Sequence, residues 1–169
     1  GNDREINRTG FYVRKYLDAT PSAGTIGRGS EMWNVYFRIA EAYLIASEAS
    51  WELSRDNTDT DALKYINAVR NRAGISSLNT IDHEKIMHEY RVEFAFEGGM
   101  RYMDIRRWKE AEKVFETPIS GMNTDAKTNN DFFKRTEIQK RIFLKKMYLW
   151  PIYQTYLDNN EKMVQNKYW

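Results

Sequence analysis

The chain has 169 residues, enough to enclose an apolar core, and its 41% hydrophobic and 30% charged residues are the proportions of a globular protein. Its 26 basic and 24 acidic residues give a net charge of +2 and are interspersed, which argues against a nucleic-acid binder. With no cysteine, disulfides and thiolate metal sites are excluded, and no apolar run is long enough for a membrane-spanning helix.

Residues 1–33 read as an irregular segment. Phe11 to Leu17 has strand-like content, and Pro21 to Ser30, with three glycines, reads as a loop. A helix is expected from Asn34 to Leu53. Its charged residues Arg38, Glu41, Glu48 and Glu52 fall within roughly 80° of each other on the helical wheel. The rest of the circumference carries Ile39, Ala40, Tyr43, Leu44, Ala46, Ala49 and Leu53, so at least two other helices should cover it. After a polar loop, a second helix is expected from Asp61 to Ala73, capped by Thr60 or Asp61. Ala62, Ile66, Val69 and Ala73 lie on its buried face, and Gly74 stands as a C-cap glycine. The pair is an αα-hairpin of tetratricopeptide-like size.

Asn79 to Asp82 offer caps for a third helix over His83–Glu97, which Gly98-Gly99 stops. A fourth helix is expected over Met100–Phe115, then a polar loop from Thr117 to Asp131. Arg141 to Leu149 reads as extended, Pro151 ends it, and a last short helix covers Gln154–Met163. The expected fold is all-α: tetratricopeptide-like helical hairpins with long irregular loops and at most a few short strands. At least half of the chain should be helix.

Glu89, Glu93 and Glu97 are spaced four apart, which opposes a helix by about 0.2–0.5 kcal/mol per pair. On the wheel Glu93 and Glu97 fall beside Ile86 and Tyr90, so they need buried partners. Arg101, Arg106 and Arg107 follow just across the Gly-Gly turn, and a guanidinium fork suits a carboxylate. A structural network of Glu93, Glu97, Arg101, Asp104, Arg107 and Trp108 is therefore expected. A glycosidase pair is the weaker reading, because adjacent arginines lower the pKa that a catalytic acid needs raised. His83 and His88 are five apart, not the four that one helix face requires for zinc. No catalytic residue, metal or cofactor is expected. Trp51 and Trp108 read as core, whereas Trp33, after the glycine-rich loop, is the candidate for stacking on a sugar.

Four ordered blocks resemble the C-terminal part of the SusD/RagB family. Arg38 to Leu44 with Ser47-Glu48-Ala49 is similar to the first, and Ala62-Leu63, Ile66-Asn67 and Val69 to Gly74 to the second. Glu89 to Gly98 with Arg101, Asp104 and Arg106-Arg107-Trp108 is similar to the third. Leu149 to Ile152 with Asn159-Asn160 and Gln165-Asn166 is similar to the fourth. Two residues, Gly99 and Met100, stand where the family has one, and Tyr153 replaces a common second proline. The resemblance implies a helical domain over residues 34–169, with the family's N-terminal half and its lipid-bearing cysteine missing. It also implies a non-enzymatic, Bacteroidetes-type outer-membrane lipoprotein that binds glycans or other nutrients with a SusC-like TonB-dependent transporter. The alternative is a helical-repeat scaffold for protein interaction without sugar binding. Only Trp33 and the loop Ser22–Ser30 look available to a sugar, so the chain alone is expected to bind glycans weakly or not at all.

Overall fold

A computed structural model describes Asn7, residues 9–18 and residues 32–169, so the expected loop at Pro21–Ser30 lies outside the described residues. The chain divides into two compact units, Asp18–Arg101 and Gly1–Leu17 with Tyr102–Trp169.

In the first unit, helices α1 (Ile39–Ser54), α2 (Thr60–Arg72) and α3 (His83–Glu93) make the scaffold. α1 begins five residues later than expected, because Arg38 is extended at φ −150° and serves as its N-cap residue. α1 packs on both α2 and α3. Ser47, fully buried, donates its hydroxyl to the Ala62 carbonyl at 2.7 Å, binding α1 to the first turn of α2. Leu44, Ala62, Ile66, Ile81 and Ile86 are shut off from solvent, and each of the larger ones contributes about 1.5–3 kcal/mol of burial. Two expectations shift. Glu48, placed on the polar stripe, is buried, while Ile39 and Leu53, placed on the covered sector, are exposed. Two helices cover one face of α1, not most of its circumference.

The helix ends follow local chemistry. Asp59, not Thr60 or Asp61, caps α2, accepting from the Ala62 N–H at 2.7 Å, and Asp82 caps α3 from the Lys85 N–H at 2.8 Å. Gly74 at φ +72° closes α2 with Ile75 N–H to Arg70 C=O and Gly74 N–H to Asn71 C=O, both 3.0 Å. α3 stops four residues short of Glu97. The Glu93 carbonyl that Glu97 N–H would take in a helix accepts instead from Arg38 Nη2 at 2.9 Å. Glu97 N–H turns back to Phe94 C=O, and Phe96 sits at φ +65°.

The unit boundary falls within α4 (Met100–Arg107). α4 ends well before Phe115 because Lys109 adopts φ +61°, with Glu110 N–H to Ile105 C=O and Lys109 N–H to Arg106 C=O. This closes a helix as Gly74 does, on a lysine. α5 (Ala111–Glu116) follows. Strand β1 (Ile119–Met122) falls in the expected loop and pairs antiparallel with β2 (Arg135–Gln139), with an irregularity between Ile119 and Ser120. α6 (Asn129–Phe132) lies between them. Phe11–Leu17 forms no strand, but Met122 N–H bonds the Thr9 carbonyl at 3.0 Å. A 3₁₀ turn over Lys145–Tyr148 and α7 (Gln154–Asp158) complete the unit. The Gln165 amide accepts from Ile152 N–H at 2.8 Å and donates to Ile152 C=O at 2.9 Å, while Asn166 donates to Trp150 C=O. These contacts give the Gln165-Asn166 pair its physical reason. Helix occupies less than half of the described residues, short of the expected share, because so much of residues 117–169 is held by such side-chain bonds.

Candidate functional site

The glutamates draw their cations from upstream. Arg38 Nε and Nη2 reach the two Glu97 carboxylate oxygens at 2.9 and 2.8 Å, and its Nη1 bonds Glu93. Arg72 bonds Glu93 at 2.7 Å, and Arg70 bonds Glu89, 2% exposed, at 2.7 Å. The Glu97 carboxylate, before Glu93, raises the Arg38 guanidinium above its ordinary pKa, against an opposing effect of burial. The Phe94 ring lies 4.8 Å from the same guanidinium. Three arginines thus answer the three-glutamate spacing, and sequence reasoning named none of them as partners. The signal was available: Arg38, Arg70 and Arg72 all stand in the first two blocks.

The six expected network residues fall in both units. Glu93, Glu97 and Arg101 belong to the first, and Asp104, Arg107 and Trp108 to the second. Arg107 meets Asp104 at 3.2 Å, with Asp104 buried, and its guanidinium lies 4.7 Å over the Trp108 ring. Arg106 turns elsewhere, donating to Tyr148 C=O at 2.6 Å.

Trp33 lies in a non-helical segment before α1 and is 88% exposed, beside the also exposed Tyr36 and Phe37. A cavity of about 360 Å³ runs along this segment, walled by Tyr36, Phe37, Arg38 and Glu97. Trp51 is buried, its ring tilted against that of His83 with centroids 5.9 Å apart, as a core residue should be. The second unit has a larger cleft of about 530 Å³ at the end of α4, lined by Asp104, Arg106, Arg107, Lys109, Tyr148 and Trp150. Sequence reasoning missed it, because Tyr148 and Trp150 lie far along the chain from α4. Among the described residues no cluster of three or more His, Asp or Glu is placed to hold a metal, and no helix is long and apolar enough to cross a membrane.

In the cavity before α1 the Glu97 carboxylate is held by the Arg38 guanidinium. The chain is similar to several known proteins. A SusD-like protein P2 from Formosa agariphila is 32% identical over 126 residues, 68% of this chain and 24% of that protein. A solved structure designated selenomethionine BT4246 is 31% identical and superposes with a TM-score of 0.68, covering 80% of this chain and 24% of that one. A SusD-like protein (BF3747) from Bacteroides fragilis is 32% identical with a TM-score of 0.62, over 77% of this chain and 25% of that one. The chain spans about a quarter of the length of these relatives. The SusD family model matches residues 1–169, and with these identities and superpositions the chain belongs to the SusD family.

Proposed function

We propose that this chain is part of a cell-surface protein that binds glycans or other nutrients and delivers them to a TonB-dependent outer-membrane transporter of the SusC type, without chemical turnover. Family membership supports the nutrient-binding role. The observation that carries the non-catalytic reading is the Arg38 fork on Glu97. A carboxylate that accepts two charge-assisted bonds is held as an acceptor and is poorly suited to deliver a proton. The exposed Trp33, Tyr36 and Phe37 offer ring faces against which a sugar could lie, with Trp33 the candidate contact.

Calorimetry of the longer protein that contains this chain against an oligosaccharide panel, with chromatography of the sugars afterwards, tests this reading. Binding that leaves the oligosaccharides intact is expected, weakened by Trp33→Ala at unchanged melting temperature. Shortened products, or no binding to any sugar, would overturn it. Co-purification with an outer-membrane transporter from the source cell envelope tests the partner.

A further inference from the structure

We infer that the cleft at the end of α4 is a subsite for an anionic saccharide, a sugar carrying a carboxylate or a sulfate. This rests on the glycan-binding reading above and names the ligand class for a different surface.

The charge balance of the cleft comes first. Arg106, Arg107 and Lys109 line it with Asp104 as the carboxylate, and Asp104 is engaged by Arg107 at 3.2 Å. The cations are held by rings. The Arg106 guanidinium lies 5.2 Å from the Tyr102 ring and 5.5 Å from the Trp150 ring, and Lys109 Nζ lies 4.7 Å from Tyr148. Rings hold a cation in place without neutralising it, so the cleft keeps a net positive field.

Arg106 adds a second observation. Its Nη2 is spent on the Tyr148 carbonyl, but its Nε is buried and has no hydrogen-bond partner among the described residues. A buried donor left unmade is costly, and a turn of the Arg106 side chain toward an acceptor in the cleft would relieve it.

The helix dipole explains part of this arrangement. Arg106 and Arg107 stand in the last turn of α4, where cations are favoured. It does not explain the unused Nε, nor Trp150, which is 71% exposed at the cleft edge. An apolar sugar face on the Trp150 ring, with its acidic group toward Arg106 and Lys109, uses all of these features. A cleft of about 530 Å³ is within the size range of small-ligand sites. The cleft is a different surface from Trp33 and the Ser22–Ser30 loop, the places to which the sequence alone points for a sugar.

The test is calorimetry of the 169-residue chain with trigalacturonate, a sulfated galactan oligosaccharide, neutral maltotriose and adenosine monophosphate, at low and high salt. At least one acidic saccharide should bind about tenfold more tightly than maltotriose, with a preference that shrinks in salt. Trp150→Ala and Lys109→Gln should each lower that affinity about tenfold at unchanged melting temperature, and Lys109→Arg should retain it. Which acidic probe binds identifies carboxylate or sulfate. Acidic binding unaffected by both variants, or adenosine monophosphate binding better than the saccharides, would overturn the inference. Binding of maltotriose alone, or no saccharide binding by the 169-residue chain, would overturn it and leave the proposed function of the longer protein standing.

Discussion

Arg38 lies 59 residues before Glu97, yet its guanidinium grips both oxygens of that carboxylate, at 2.9 and 2.8 Å. The bond joins the extended residue at the head of α1 to the turn after α3. Glu97 is 7% exposed, so the charge it brings inside must be balanced there. Glu97→Ala is expected to lower stability by about 1.5–3 kcal/mol, because Arg38 loses its two-pronged partner and keeps only Glu93. Arg38→Lys keeps the charge but loses the fork, and should cost about 1.5–3 kcal/mol. Urea unfolding checks both, and a wild-type midpoint for Glu97→Ala would refute the structural role.

Gly121 in β1 is buried against the N-terminal segment. A Cβ there would meet the Thr9 carbonyl oxygen and the Ile138 Cδ1, both at 2.6 Å. Ile138 can shift, but the Thr9 backbone is fixed by the Met122 N–H. Gly121→Ala should therefore destabilise by about 1–3 kcal/mol and speed hydrogen exchange at Met122. Unchanged protection of that amide would contradict the packing.

Asp59 caps α2. The Ala62 backbone N–H first, and the Ser50 hydroxyl next, favour its ionised form and hold its pKa below the ordinary aspartate range. A lowered folded pKa gives stability that is present above the unfolded value, about 3.9, and lost as pH falls through the folded one. Asp59→Asn keeps a capping oxygen but cannot titrate. Its denaturation midpoint should fall less steeply than that of the wild type below about pH 4. Parallel curves for the two proteins would reject the linkage.

Phe96 holds φ +65° with its ring exposed, a conformation that costs an L-residue about 1–2 kcal/mol. Phe96→Gly should raise stability by about 1 kcal/mol, the relief exceeding the extra freedom of the unfolded chain. Thermal denaturation checks this, and a lower midpoint would show that the ring has a packing role.

Much of the helical scaffold was legible in the sequence. The spacing of Ala62, Ile66 and Val69 and the placing of Gly74 carry α2, and Asp82 announces α3. The errors share a cause. α3 was read through to Glu97 because helical periodicity does not show a side chain, here Arg38, taking a backbone carbonyl. α4 was read through to Phe115 because nothing local marks Lys109 as a left-handed residue. The acidic turn was legible as a demand for cations but not as to their source, since Arg101 and Arg106 are nearer in sequence than Arg38 and Arg72. The cleft between Arg106 and Trp150 depends on a long-range approach that no window of the chain contains.

The Arg38 clamp also has a place in time. α1 and α2 meet across a short connection, so their contacts close with little loss of chain entropy and can form early. The clamp needs both hairpin and acidic turn in place, so its bonds are predicted to form late, after the folding transition state. Losing it should leave the refolding rate of Glu97→Ala close to that of the wild type and quicken unfolding instead. By this logic, one salt-bridged turn sets how long the folded scaffold persists, more than how fast it forms.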